Sequence, residues 1–395
     1  MGLTQLLVAL SLAASVSSGP AGAERLTLHS QALGEERVSA VVMPASYGRG
    51  QQRYPVLYLT DAEAQLGHTR TTADFLARNG LMPEVIVVGI LNTQRTRDLT
   101  PTAGTAAEHA DYPTAGGGER FLDFLEHELV PAVEARYRTV PLRLYAGHSF
   151  GGLLGVHALL SRAGLFQAVV AASPSLGWDD GLVLREARAL KAGRPPLPRG
   201  LYVTLGGREA SPEVLEDFES FAKAMQHVPW PNFDWAWQLV PDEDHGSTVL
   251  LGYYAGLRHL FAGWRMPLEA PAATAPPSLA QLLAHFQGLS ERWGYSVEPP
   301  EALVDLLGYV ALRQKALGEA LELFRYNVAA YPESANAQES LGLALARAGQ
   351  LDAARECYRQ AVELAEKSGD PQLAPLRARL DALDERLQTP PSSGP

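Results

Sequence analysis

Leu142-Arg143-Leu144-Tyr145-Ala146-Gly147-His148-Ser149-Phe150-Gly151-Gly152-Leu153 is the stretch whose reading decides the fold. Leu142–Ala146 is a short apolar run of strand length, and Leu153–Leu160 opens an apolar helix-length run. Between them lies G-x-S-x-G. A serine alcohol is a poor nucleophile and must be presented to a base, so it is placed on a tight strand-to-helix turn. Such a turn brings backbone segments close together, which calls for glycines on either side. The pattern therefore makes Ser149 a candidate nucleophile. The competing reading is a glycine-rich turn with a solvent-facing serine.

Working outward, further apolar runs recur. Arg25–Leu33 and Arg37–Met43 form an opening pair broken by Gly34-Glu35-Glu36. Pro55–Leu59, Val85–Ile90, Ala168–Ala172, Leu201–Leu205 and Trp235–Val240 follow. The middle runs are continuous and rich in Val, Ile and Leu, as expected of parallel strands covered on both faces. Helix-length segments separate them. Glu119–Tyr137, with Phe121, Phe124, Leu125, Leu129, Val133 and Tyr137 at helical spacing, predicts one helix. Strands alternating with helices imply an α/β fold with a mostly parallel, doubly wound sheet, and the serine turn makes it an α/β-hydrolase fold.

Such a serine needs a base, expected on a loop after the last strand. His245, in Pro241-Asp242-Glu243-Asp244-His245-Gly246-Ser247, follows Trp235–Val240 and satisfies the chain order Ser, acid, His. His127 and His259 lie in helical patterns and read as structural, and His148 packs inside the turn. The acid should sit just past the preceding strand. Leu201–Leu205 runs into Gly206-Gly207-Arg208-Glu209, which favours Glu209, with Glu213, Glu216 and Asp217 as alternatives. An oxyanion hole needs two backbone N–H groups. Phe150 supplies one, and Glu63 or Ala62, in the loop after Pro55–Leu59, the other.

The chain has 395 residues, 46% of them hydrophobic and 19% charged, enough for two domains and too apolar for global disorder. Its formal net charge of −11 disfavours a general nucleic-acid partner. The apolar run from Leu6 to Val16 is too short to span a bilayer, and Ala21-Gly22-Ala23 has a small-x-small pattern. Residues 1–23 thus read as a signal peptide cut before Glu24, and no membrane span is expected in the mature chain. Cys357 is the only cysteine, so no internal disulfide can form. An exported chain without disulfides suits a bacterial periplasm or secretion.

The α/β-hydrolase domain should occupy residues 24–266. Residues 267–277, rich in Pro and Ala, read as a semi-rigid linker. Beyond it strand signals vanish. Leu307-Gly308 recurs as Leu341-Gly342, Glu319-Ala320 as Ala353-Ala354, and Phe324 as Tyr358, each 34 residues on. That is the tetratricopeptide period, with Pro332 between the units. A helical domain over residues 278–388 is expected, with a disordered tail at 389–395.

Tyr54–Asp61, Val87–Pro101, Gly117–Thr139, Tyr145–Gly152, Ser173-Pro174-Ser175-Leu176 and His245-Gly246-Ser247 make residues 24–264 similar to the esterase family that includes esterase D and enterochelin esterase-like enzymes. The family's tetratricopeptide-tailed members are also similar across Ser278–Ala365. The resemblance implies carboxylic ester hydrolysis through an acyl-enzyme, with no metal and no cofactor, acting on a small-molecule ester. It makes Ser149 the nucleophile, His245 the base and Glu209 the acid. Two departures stand out. Family members often have Asp-Gly where this chain has Asp61-Ala62, and two tryptophans where Gly177-Trp178 leaves one. Trp178 is a candidate wall of the substrate pocket or a packing residue, and His148 a candidate substrate contact. Two other readings stand beside this one: acyl transfer to an acceptor other than water, using the same residues, and a non-catalytic scaffold on the hydrolase fold that binds a protein partner through its repeats.

Overall fold

The computed structural model of the chain describes residues 22–49, 51–162, 164–190, 200–228, 230, 233–267 and 277–388. The expected signal peptide, apart from its last two residues, most of the linker, and the tail lie outside these. The chain divides between Arg265 and Met266 into two compact units.

The first unit runs β1 (Glu24–Ser30), β2 (Glu35–Val42), β3 (Tyr54–Leu59), α1 (Ala62–Arg78), β4 (Ile86–Ile90), α2 (Arg95–Leu99), α3 (Ala106–Asp111) and α4 (Gly118–Phe124). It continues α5 (Val130–Arg136), β5 (Thr139–His148), α6 (Phe150–Ser161), β6 (Ala168–Ala172), α7 (Trp178–Ala189), β7 (Gly200–Gly206), α8 (Pro212–Met225), β8 (Asp234–Val240) and α9 (Thr248–Leu260). All eight strands form one sheet in the order β1-β2-β4-β3-β5-β6-β7-β8. β1–β2 and β2–β4 are antiparallel, and the remaining pairs are parallel. This is the doubly wound α/β-hydrolase architecture expected from the sequence.

The order has a functional consequence. From β3 the chain steps to β4 on one side and then to β5 on the other. The carboxyl ends of β3 and β5 therefore flank a topological switch point, where the loops diverge and leave a crevice. β3, β4, β6 and β7 are buried along their whole length, which explains their unbroken apolar sequences. α6 is buried on all sides from Phe150 to Leu160, so the helix that follows the serine is fixed in the core.

One expected element is divided. Residues 119–137 are not a uniform helix: α4 passes through a π-helical turn at Leu125–Leu129 into α5. Pro131 sits in the first turn of α5. Its ring has no N–H and collides with the carbonyl one α-turn back, and the wider turn relieves this.

The second unit is helical: α10 (Leu279–Trp293), α11 (Glu301–Arg313), α12 (Leu317–Ala330), α13 (Ala335–Arg347), α14 (Leu351–Ser368) and α15 (Leu373–Gln388). α11 packs on α12 and α13 on α14. The glycines of the repeat lie under its aromatics. A Cβ on Gly308 would come within 2.5 Å of the Phe324 ring, and one on Gly342 within 2.8 Å of the Tyr358 ring. The same close helix contact thus recurs 34 residues on.

Candidate active site

Ser149 follows β5 and caps α6 with φ 58° and ψ −120°. This is a strained conformation for a non-glycine residue, costing about 1–3 kcal/mol. Its surroundings impose it: Ser149 N–H donates to the Ala172 carbonyl at 3.0 Å, and the Ser149 carbonyl accepts from Leu153 N–H at 2.9 Å. The flanking glycines are required by close approach. A Cβ on Gly147 would stand 2.3 Å from the Gly151 carbonyl oxygen, and one on Gly151 2.5 Å from Thr60 Oγ1. The turn is therefore pressed against the end of β3. α6 begins at Phe150, whose backbone N–H belongs to the first turn and has no intrahelical acceptor.

Opposite lies the start of α1. Its cap, Asp61, takes the left-handed conformation (φ 56°, ψ 42°). Aspartate tolerates that region better than most residues. Ala62 is not among the residues with positive φ, so alanine there introduces no backbone strain. Glu63 lies in the first helical turn. Its side chain turns away: Oε1 accepts from Asn92 N–H at 2.7 Å and Oε2 from Asn92 Nδ2 at 3.3 Å. The first-turn amides of α1 and α6 thus sit on either side of the Thr60–Gly151 contact.

A clamp not foreseen from sequence holds this arrangement. The buried Asp61 carboxylate accepts from Arg95 Nε at 2.7 Å, Arg95 Nη2 at 3.0 Å and Asn92 Nδ2 at 2.8 Å. Arg95 Nη2 also reaches the His148 carbonyl at 3.4 Å. One guanidinium therefore ties the α1 cap to the serine turn, using the fork geometry that lysine lacks. Asn92 and Arg95 lie in a stretch that the sequence offered only as resemblance.

His245 and Glu209 meet: His245 Nδ1 lies 2.5 Å from Glu209 Oε2. The other oxygen of Glu209 accepts from Gly206 N–H at 3.0 Å and from Ser173 Oγ–H. With the carboxylate as acceptor, Nδ1 carries the proton of the neutral ring and Nε2 is left with its lone pair. The two loops are zipped together by Gly207 N–H to the Val240 carbonyl (2.8 Å) and Arg208 N–H to the Glu243 carbonyl (2.9 Å). Side chains at Gly206 or Gly207 would block this, since added Cβ atoms would meet the Asp244 and Pro241 carbonyls at 2.7 and 2.5 Å. Gly206-Gly207 was thus a readable signal for the close approach of the turns that carry Glu209 and His245.

The alternative acids are placed elsewhere. Glu213 is exposed and accepts from Ser211 Oγ–H at 2.8 Å. Asp217 lies against Gly177, where a Cβ would come 2.3 Å from Oδ2, and its pKa is raised by burial and then by Glu216. His259 bonds Asp234 at 3.0 Å and joins α9 to β8.

His148 packs its ring 4.5 Å from that of His245, and His148 Nε2 lies 2.7 Å from the His245 carbonyl oxygen. Ser149, His148 and His245 are thereby gathered at the carboxyl edge of the sheet. Beside them, Phe150, Trp178 and Tyr112 form an aromatic cluster: Phe150–Trp178 centroids are 5.1 Å apart and Phe150–Tyr112 5.3 Å, both edge-on. Trp178 is 4% exposed, and its Nε1–H donates to the Thr102 carbonyl at 3.3 Å. Its role here is packing behind the cluster. Tyr112, 42% exposed, is the member that faces solvent. It follows α3, between the stretches Val87–Pro101 and Gly117–Thr139, where sequence gave no motif. Among the described residues no three His, Cys, Asp or Glu side chains converge to hold a metal ion, and no helix is long and apolar enough to cross a membrane.

Comparison with known proteins narrows the family. The chain is 34% identical over 192 residues to the siderophore triacetylfusarinine C esterase of Aspergillus fumigatus, covering 44% of this chain and 64% of that protein. It is 34% identical over 149 residues to the ferri-bacillibactin esterase BesA of Bacillus subtilis, covering 34% of this chain and 52% of that one. The chain thus spans less than two thirds of the length of either relative. The crystal structure of an IroE-like serine hydrolase from Shewanella oneidensis superposes with a TM-score of 0.66 at 29% identity, covering 77% of this chain and 98% of that one. The family model described as "Putative esterase" matches residues 30–239, more than half of the chain, and the chain belongs to that esterase family.

Proposed function

We propose that the chain is a serine esterase in which Ser149, His245 and Glu209 form the catalytic triad. The observation that carries the reading is the Nδ1–Glu209 contact at 2.5 Å, made in the chain order that the strained Ser149 turn requires. His245 Nε2 removes the Ser149 hydroxyl proton as Oγ attacks the ester carbonyl carbon. The resulting oxyanion is received by the N–H of Phe150 and an N–H in the first turn of α1, that of Glu63 or Ala62. Collapse breaks the ester C–O bond, and His245 returns the proton to the leaving alcohol. Water then attacks the acyl-Ser149 ester with the same base and releases the acid. His245 has 48% of its side chain exposed, which gives water a route to the acyl-enzyme and favours hydrolysis over acyl transfer.

For the substrate we take ester-linked siderophores. This rests on the two curated relatives, whose names state that activity. Tyr112 and Phe150, with Trp178 packed behind them, would form the wall against which an acyl group lies. Export fits the N-terminal pattern, and β1 begins at Glu24, so cleavage before that residue leaves the sheet intact. The helical unit is read as a tetratricopeptide-type module for a protein partner, supported by the recurring glycine–aromatic contacts. The deciding experiment is covalent labelling by a fluorophosphonate, together with turnover of nitrophenyl esters and of ferric siderophores. Labelling or turnover that survives Ser149→Ala would refute the assignment.

A further inference from the structure

We propose that His148 is a positioning residue that holds the loop bearing the base, rather than a contact for substrate. The inference rests on the esterase reading above and deepens it.

His148 is the last residue of β5, its backbone paired with Ala172 of β6 and its carbonyl held by Arg95. It therefore stands at the end of an interior strand, paired on both sides by β3 and β6. His245 stands on an exposed turn held by bonds within itself: the Asp244 carboxylate accepts from Gly246 N–H at 3.0 Å and from Ser247 N–H at 2.8 Å, and Asp244 N–H donates to Ser247 Oγ at 2.9 Å. Those bonds shape the turn but do not tie it to the serine. The bond from His148 Nε2 to the His245 carbonyl, at 2.7 Å, does, because its donor is covalently next to Ser149.

The chemistry of the bond sets the state of the ring. A carbonyl oxygen only accepts, so Nε2 must carry a proton. The groups facing His148 are His245, Asp61 and Arg95. Burial first, and His245 second, hold its pKa below the ordinary histidine value. His148 thus stays neutral as the Nε2–H tautomer at neutral pH and adds no charge beside His245. Glu209 fixes the base through Nδ1, and His148 fixes it through its own main chain. Together they restrain both the ring and the backbone that carries it.

The test compares His148→Gln, whose longer amide can place an N–H near the Nε2 position, with His148→Asn, whose amide is too short to reach. His148→Phe keeps the ring without a donor. Losing one such hydrogen bond should lower kcat by roughly 3–10-fold at unchanged KM in the Asn and Phe variants. The Gln variant should recover to within about 2-fold of the parent. If Phe at this position lowers the melting temperature sharply, the Gln and Asn pair still decides. Equal kcat in Gln and Asn variants would overturn the proposal, as would a rise in KM alone, which is the mark of a substrate contact. Ser149→Ala runs alongside: an inactive Ser149 variant with unaffected His148 variants overturns only the positioning role, whereas an active one overturns both readings.

Discussion

Replacing Glu209 with Gln tests the triad more sharply than removing the side chain, because the local bonds dictate which way the amide must face. Glu209 Oε1 accepts from Gly206 N–H at 3.0 Å and from Ser173 Oγ–H, so a glutamine must present its carbonyl there. Facing the NH2 toward Gly206 would set donor against donor. The amide NH2 is then directed at His245 Nδ1, 2.5 Å away in the parent. A donor at that point forces Nδ1 to accept and moves the ring proton to Nε2, the atom that must act as base. The imidazolium formed during attack also loses its counter-charge. Where this substitution has been worked through in a serine-protease triad, the cost is about 10⁴-fold in kcat. Glu209 is partly exposed, so we expect the lower end here, about 10³-fold, or about 4 kcal/mol of transition-state stabilisation. The assay is kcat and KM on nitrophenyl acetate, with circular dichroism to confirm the fold. KM should be unchanged, because the carboxylate does not face the substrate. Asp217→Asn, lying against Gly177, should leave kcat within about 2-fold of the parent. A Glu209→Gln enzyme within about 5-fold of the parent would refute the assignment of the acid.

Gly151→Ala places a Cβ 2.5 Å from Thr60 Oγ1; it should destabilise the first unit by about 1–3 kcal/mol in urea titration and abolish esterase activity, and a fully active variant would refute the close approach. Tyr112→Ala, at an exposed member of the aromatic cluster, should raise KM for esters of aromatic acids, such as benzoyl esters, by roughly 5–10-fold with acetyl esters unaffected, since one edge-on aromatic contact is worth about 1 kcal/mol. The buried His157 imidazole bonds Glu186 at 2.7 Å and Glu119 at 2.5 Å; burial opposes its charge, but these carboxylates outweigh that and raise its pKa. Its stabilisation is therefore fully present below about pH 6.5, the unfolded value, and lost as pH rises through the higher folded pKa. Unfolding midpoints at pH 6 and pH 9 should differ more in the parent than in His157→Gln, and equal differences would sink the argument. In the second unit, Phe324→Ala empties a fully buried site against Gly308 and should cost about 3–5 kcal/mol in the helical transition, leaving nitrophenyl-ester kcat unchanged if the units unfold separately.

How much was legible follows from the range of each interaction. The sheet was readable because each buried strand carries an unbroken apolar run, visible residue by residue; Ala168–Ala172 was bounded as observed. The serine turn was readable because close approach around it demands glycine within three residues. Glu209 was separable from Glu213 and Asp217 only by its place after β7, and in the structure it is the Glu209 carboxylate that meets His245 Nδ1. Pro131 signalled that residues 119–137 would not run as a uniform helix, but apolar spacing masked it. The departure at Ala62 puts no positive φ on the alanine, because the left-handed turn falls on Asp61, one residue earlier, which no pattern reveals.

By itself, then, the sequence determined the fold class, the strained serine, the order of the three triad candidates and the helical second unit, all of which are written in short-range patterns. Only the tertiary structure decided what surrounds them. Arg95 reaches Asp61 across 34 residues, Tyr112 meets Phe150, and His148 finds the His245 carbonyl across 97. Side chains that far apart leave no periodicity between them. They meet because the sheet order brings the ends of β3, β5 and β8 to one edge, and hydrogen bonds and ring contacts form only at that range.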